Sequence, residues 1–243
     1  MALNFQPIYV LASGGERALE NLNTTANNLA NVNTPGFKKL LLREMSQYLP
    51  ENKGDASHLF VFPRFNDTPV ITTQGNLIRT EAPLDFAIFG EGFFAVETPQ
   101  GIKYTRNGHF LRNGEGFLVD SNGNYVLNDE GKRIKLDDIK AKITVVDDGT
   151  IYLGSEVAGR FMIRNFTAVR PDSESYYIPD QTKNAQEIPA SYTVKQGYLE
   201  QSNVNGIESM IELINAQRRF EIYGNLIRSL DQMEQKSNEI GRA

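Results

Sequence analysis

Apolar positions at Ile8, Ala12, Gly15, Leu19, Leu22, Ala26 and Leu29 recur in alternating steps of four and three. That spacing lays a stripe along one face of a helix with a coiled-coil-like period. The pattern predicts an amphipathic helix over about 5–30. It should stop near Asn31, because Asn27, Asn28, Asn31 and Asn33 are weak helix formers and Pro35, in Thr34-Pro35-Gly36, disfavours helix at Thr34.

From residue 70 to 198 the texture changes to short apolar or alternating runs, such as Phe86-Ala-Ile-Phe89, Phe93-Phe-Ala-Val-Glu-Thr98 and Lys142-Ile-Thr-Val-Val146. Asn107-Gly108, Asn122-Gly123 and Asp148-Gly149 punctuate them, dipeptides that supply the positive φ of tight hairpins. An antiparallel β domain of ten or so short strands is expected. Residues 40–70 read as an extended connector. Residues 170–192, with Pro171, Pro179 and Pro189 among polar residues, read as a long loop.

A second helix should follow Ser202-Asn203-Val204-Asn205 and run to about 240, with Asn203 or Asn205 as cap and Glu208 in the first turn. Its stripe reads Val204, Ile207, Ile211 and Ile214, slips phase, and resumes as Tyr223, Leu226, Leu230, Met233 and Ile240. Met210, Leu213, Phe220 and Ile227 lie off that stripe, an apolar arc wider than one partner helix covers. The expected class is α+β: a discontinuous coiled-coil-like core of N- and C-terminal helices with an inserted antiparallel β domain. The pieces are 1–38 (helix and turn), 39–70 (connector), 71–198 (β domain) and 199–243 (second helix). Two readings of the stripes stay open. They pair within the chain, or they form a shaft whose remaining apolar surface contacts neighbouring copies, an open contact that propagates.

Composition removes alternatives. The 243 residues carry 25 Lys and Arg against 30 Asp and Glu, a net charge of −5, which gives no general reason to bind nucleic acid. Lys38-Lys39 and Arg218-Arg219 read as solvated helix faces. Cysteine is absent, excluding disulfides, cysteine-based zinc sites and thiol nucleophiles. No run reaches the roughly 20 apolar residues of a transmembrane helix, so direct membrane insertion is not expected. The first residues lack the basic segment of a cleavable secretory signal.

Catalytic signals are missing too. His58 and His109 stand in unrelated contexts, and neither Gly-x-Ser-x-Gly nor a P-loop occurs. Asp120-Ser-Asn122-Gly-Asn124 opens like a calcium loop, but Tyr125 and Gly131 occupy positions that such a loop gives to glycine and glutamate, so a hairpin turn is the better reading. Asp137-Asp138 and Asp147-Asp148 are adjacent pairs, which in a strand point to opposite faces. No enzyme, cofactor or metal is expected. An adhesin or carbohydrate-binding module would use Phe93, Phe94, Tyr104 and Tyr152 as a stacking platform, although aromatics at strand spacing are more often core.

The residues also carry a resemblance. Ala26-Asn-Asn-Leu-Ala-Asn-Val-Asn-Thr-Pro-Gly-Phe-Lys38 resembles the N-terminal signature of the bacterial flagellar rod and hook protein family. Gly197-Tyr-Leu-Glu-Gln-Ser-Asn-Val-Asn205, followed by Glu208, Met210, Ile211 and Gln217-Arg-Arg-Phe-Glu221, is similar to the C-terminal one. Between them, Gly75-Asn-Leu77, Pro83–Ile88, Gly90-Glu-Gly-Phe-Phe-Ala-Val96 and Tyr104-Thr-Arg-Asn-Gly-His-Phe110 resemble the family's β domain. Arg218-Arg219-Phe220-Glu221 and the shortness of the chain are closer to the proximal-rod branch than to the distal-rod branch.

The resemblance implies a structural subunit of the flagellar basal body. It would pass through the flagellar type III export apparatus and polymerise in the periplasm with itself and other axial rod proteins. Assembly residues are then expected at both ends: Ile8, Ala12, Leu19, Leu22, Asn27, Asn28, Leu29, Asn31, Pro35, Gly36 and Phe37, and Asn203, Val204, Asn205, Ile207, Ile211, Ile214, Arg219, Phe220, Leu226 and Leu230.

Overall fold

The computed structural model describes residues 6–48, 61–137, 141–173 and 175–240. His58 and Asp138 lie outside the described residues, as do the side chains of Ile8 and Ile240. The chain is α+β and divides into two compact units, one drawn from Met1–Ala30, Leu40–Pro69 and Asn205–Ala243, the other from Asn31–Lys39 and Val70–Val204.

The first unit holds helix α1 (Gln6–Ala30), a hairpin of β1 (Arg43–Tyr48) and β2 (Val61–Asp67), and helix α2 (Gly206–Ile240). At about 1.5 Å per residue α2 is about 52 Å long. Asn205 is its cap: Oδ1 accepts from the backbone N–H of Ile207 (3.1 Å) and of Glu208 (3.3 Å). The hairpin, with Tyr48 opposite Val61, stands where the sequence pattern predicts only a connector. No two-residue turn signal joins its strands, so period and turn chemistry do not announce it.

α1 and α2 pack against each other, and the ring of Tyr223 lies on Gly14-Gly15: a Cβ on Gly14 would fall 2.5 Å from Tyr223 Cε1. The buried positions of α1 are therefore small or polar, namely Gly14, Gly15, Ala18, Thr25 and Asn28, while Ala12, Leu19 and Ala26 of the expected stripe are exposed. Gly14, Ala18, Thr25 and Asn28 each precede a stripe position by one residue, and Gly15 is common to the stripe and the buried face. A reading weighted by large apolar residues misses it, because close approach of a tyrosine selects glycine and alanine.

The second unit is built of antiparallel β-strands, with a short 3-10 helix at Gln181–Lys183. Where ten or so strands are expected, it has β3 (Leu77–Arg79), β4 (Phe86–Gly90), β5 (Phe93–Thr98), β6 (Gly101–Thr105), β7 (Leu111–Arg112), β8 (Leu118–Val119), β9 (Tyr125–Val126), β10 (Ile143–Val145), β11 (Thr150–Leu153), β12 (Glu156–Arg160), β13 (Ile163–Phe166), β14 (Val169–Ser173), β15 (Tyr176–Pro179), β16 (Glu187–Ile188), β17 (Tyr192–Gln196) and β18 (Tyr198–Glu200). The largest sheet runs β14-β15-β6-β5-β9-β8-β7, and β4 pairs with β17 and β3 with β18. Several of these strands are two residues long, too short to show alternation. The expected loop at 170–192 holds β14, β15 and β16. Pro171 is tolerated because β14 is an edge strand, where a missing N–H costs no ladder bond.

Phe86, Phe94, Phe110 and Phe161 form the centre of the core, with Phe94 edge-on to Phe110 at 5.3 Å and to Phe161 at 5.2 Å. Gly123 and Gly149 take positive φ in their turns, as their dipeptides predict. Gly108 does not. It is glycine because a Cβ there would meet Phe86 O at 1.7 Å, and its own carbonyl accepts from Phe86 N–H.

Candidate assembly site

The two terminal signatures meet inside the second unit. The turn after α1 closes through Thr34 N–H to Asn31 O and Phe37 N–H to Thr34 O, and Gly36 (φ +71°) is held so close to Arg106 and Asn107 that a Cβ would lie 2.2 Å from Asn107 N. Gly36 N–H then donates to Glu200 O at 2.7 Å. Asn203, the rejected cap, instead accepts from Lys39 N–H (2.7 Å) and donates Nδ2 to Ile71 O (2.8 Å) and Thr73 O (3.0 Å).

Beneath this seam Lys38 and Glu200 form an ion pair with both side chains fully buried. Lys38 Nζ also donates to Thr73 O, and Lys38 N–H donates to Tyr177 Oη at 2.7 Å. Glu200 accepts from Gly75 N–H through Oε1 and from Arg106 Nη1 (3.0 Å) through Oε2. Arg106 continues to Ile88 O and Gly90 O and lies over the Phe93 ring. One carboxylate thus serves two buried cations. Burial holds both cations below their ordinary pKa, only partly offset by Glu200, and pushes the Tyr177 phenol up.

Reading Lys38 as part of a solvated face is therefore wrong: the backbone of the signature turn carries it inward. Helical period and turn chemistry give no signal for Lys38, Arg106, Tyr177 or Glu200 as site residues; Lys38, Arg106 and Glu200 lie inside the family-like motifs. Arg218 and Arg219 do lie exposed on α2.

Phe37 and Val204 are buried at this junction, and Asn31, Pro35 and Asn203 are half-buried. Leu22, Leu29 and Leu230 are half-buried on their helices, and Asn27 and Asn205 are exposed. Asn28 binds backbone with its side-chain amide: Nδ2 donates to Leu40 O and Oδ1 accepts from Leu40 N–H, both at 2.8 Å.

On α2 the expected stripe, with its phase slip, resolves into two faces. Ser209, Ala216 and Tyr223 are buried or half-buried. At about 100° per residue, Ile207, Ile211, Ile214 and Ile222 stand on roughly the opposite side. These are 76%, 57%, 53% and 56% exposed, while Phe220, on the Tyr223 side, is 39% exposed and Leu226, between the faces, 44%. The phase slip in the sequence marks the step from one face to the other.

Asp120 is saturated by Asn122 N–H, Asn124 N–H, Asn124 Nδ2 and the Tyr176 hydroxyl, as a hairpin turn requires. Of the four aromatics of the expected stacking platform, Phe93 and Phe94 are buried in the core and Tyr104 and Tyr152 are half-buried. No group of three or more metal-ligating side chains occurs among the described residues.

Fold and site together define an α+β chain whose two ends meet in one buried junction and carry exposed apolar helix surface. Comparison with known proteins agrees with that class. A flagella basal body rod protein model matches residues 8–38, a flagellar hook protein FlgE/F/G D1 domain model matches 87–153, and a flagellar basal body rod FlgEFG protein C-terminal model matches 195–240. Each matched segment contributes one member of the Lys38, Arg106 and Glu200 triad. The flagellar basal-body rod protein FlgF of Caulobacter vibrioides is 32% identical over 240 residues, covering 96% of each chain. FlgF of Rhizobium meliloti is 33% identical over 91% of each chain, and FlgG of Agrobacterium fabrum is 30% identical over 92% of this chain and 95% of that one. The chain belongs to the flagellar basal-body rod protein family. It is a structural subunit of the bacterial flagellar basal-body rod and not an enzyme.

Proposed function

We propose that this subunit belongs to the proximal rod. In this reading it is delivered by the flagellar type III export apparatus and polymerises head-to-tail in the periplasm through a coiled-coil-like core of α1 and α2. The observation that carries the assembly role is the exposed isoleucine face of α2, on the side away from Ser209, Ala216 and Tyr223. Exposed apolar rows of this size mark interaction surfaces. The proximal position is supported by the FlgF relative that shares 96% of its length with this chain and by Arg218-Arg219-Phe220-Glu221.

The FlgG relatives, at 30–32% identity over more than nine-tenths of the chain, favour the distal rod as a second reading. Complementation separates the two. Expressed in strains lacking either the proximal or the distal subunit, the chain should restore rods and motility only in the first. Restoration only in the second reverses the assignment, and restoration in neither removes the rod-subunit role.

A further inference from the structure

One cavity in the second unit has no part in the assembly reading. It measures about 250 Å³ and is walled by the signature turn at Asn31 and Thr34, the end of β6, the Asp120–Asn122 turn and the start of β15. At about 30 Å³ per water it has room for about eight waters, enough for a single sugar ring. Its lining carries no cation, and its one carboxylate, Asp120, is saturated by the hairpin and by the Tyr176 hydroxyl. A charged ligand would give up its hydration there and find no opposite charge. Apart from Tyr176, the remaining walls are asparagine, serine and threonine, so an apolar ligand finds little to pack against.

The walls are braced by their own bonds. Thr34 Oγ1 donates to Asn31 Oδ1 (3.1 Å), Thr105 Oγ1 donates to Ser175 O and accepts from Asn107 N–H (both 3.0 Å), and Asn122 Nδ2 donates to Tyr176 Oη (3.0 Å). Two groups stay unspent. The Ser175 hydroxyl has no hydrogen-bond partner among the described residues, although Ser175 is only 8% exposed. Asn107 accepts from His109 N–H through Oδ1 (3.0 Å), while its Nδ2 donates to none of the described residues. Leaving a buried hydroxyl unpaired is costly, and a ligand hydroxyl removes that cost because it both donates and accepts.

We propose that this cavity binds one ring of a neutral saccharide, whose hydroxyls pair with the Ser175 hydroxyl and with Asn107 Nδ2 and enter past Ser121 at the exposed rim. The site goes beyond the rod-subunit role and does not depend on it. Tyr176 is 8% exposed and offers little ring to stack on, so hydrogen bonds carry the affinity and a millimolar dissociation constant is expected. The braced walls need no rearrangement on binding.

Saturation-transfer NMR on the purified full-length chain tests it, with the methyl glycosides of glucose, galactose and N-acetylglucosamine as probes and glucose 6-phosphate as the charged control. Transfer to at least one methyl glycoside and none to the phosphate is expected. Transfer to none of the three, or equal transfer to glucose 6-phosphate, overturns the proposal. Two variants place the binding in this cavity. Ser121→Trp fills it from an exposed position and should abolish transfer, and Ser175→Ala should weaken binding about fivefold, the worth of one hydrogen bond. Circular dichroism and thermal melting establish that each variant is folded. Unchanged binding by folded Ser121→Trp, or by folded Ser175→Ala, overturns the proposal. If Ser121→Trp does not fold, Ser175→Ala decides alone.

Discussion

Lys38 and Glu200, 162 residues apart in the chain, form an ion pair with neither side chain reaching solvent. The bond joins the turn after the first helix to the strand before the second. Removing one partner of a buried pair leaves an uncompensated charge, which costs about 3–5 kcal/mol. Glu200→Gln should therefore destabilise the chain by about that amount, and Lys38→Met in the same background should recover part of it. With no tryptophan in the chain, tyrosine fluorescence during denaturant unfolding reports the change. A loss below about 1 kcal/mol would show that water or relaxation compensates Arg106 and Lys38.

The second prediction concerns alkaline pH. Burial and the hydrogen bond to Asp120 push the Tyr176 phenol from 10.0 up to about 12. The folded state then keeps a proton that the unfolded state gives up above pH 10, so this stabilisation is complete below pH 10 and is lost as pH rises toward 12. A two-unit shift corresponds to about 2–3 kcal/mol. Tyr176→Phe should thus lose less stability than the wild type across that window, as measured by unfolding at successive pH values. Parallel curves for the two chains would remove the phenol as the cause.

Gly14 and Tyr223 supply a third. A side chain at Gly14 meets the Tyr223 ring, so Gly14→Val should cost about 1–3 kcal/mol as overpacking and part the helices. Tyr223→Ala should cost less in the Gly14→Val background than in the wild type, since the two effects share one contact. Thermal melts followed by helical circular dichroism check it. Strict additivity would mean that the close approach carries no energy.

The exposed and half-buried apolar residues separate assembly from folding. Ile211→Asp and Ile214→Asp change exposed positions and should leave the melting of the monomer within about 0.5 kcal/mol of wild type while abolishing incorporation and motility. Leu22→Asp places a carboxylate at a half-buried position and should lose both helix stability and incorporation. A motile Ile211→Asp, Ile214→Asp strain would show that α2 assembles through another face.

The sequence by itself determined both helix extents, the turn at Thr34-Pro35-Gly36 and the β character of the middle. It also carried the motifs that place the chain in its family. These are local properties: helical period, turn chemistry and composition act over a few residues. What only the tertiary structure decided is how distant segments meet. Most of the buried positions of α1 precede the apolar stripe by one residue because Tyr223 selects small partners. The broken stripe on α2 proved to be two faces. Lys38 reads as a surface charge along the sequence, whereas in the fold Glu200 comes to it from 162 positions along the chain. Burial of a charge depends on a partner supplied by another strand, and no window along the sequence contains that partner.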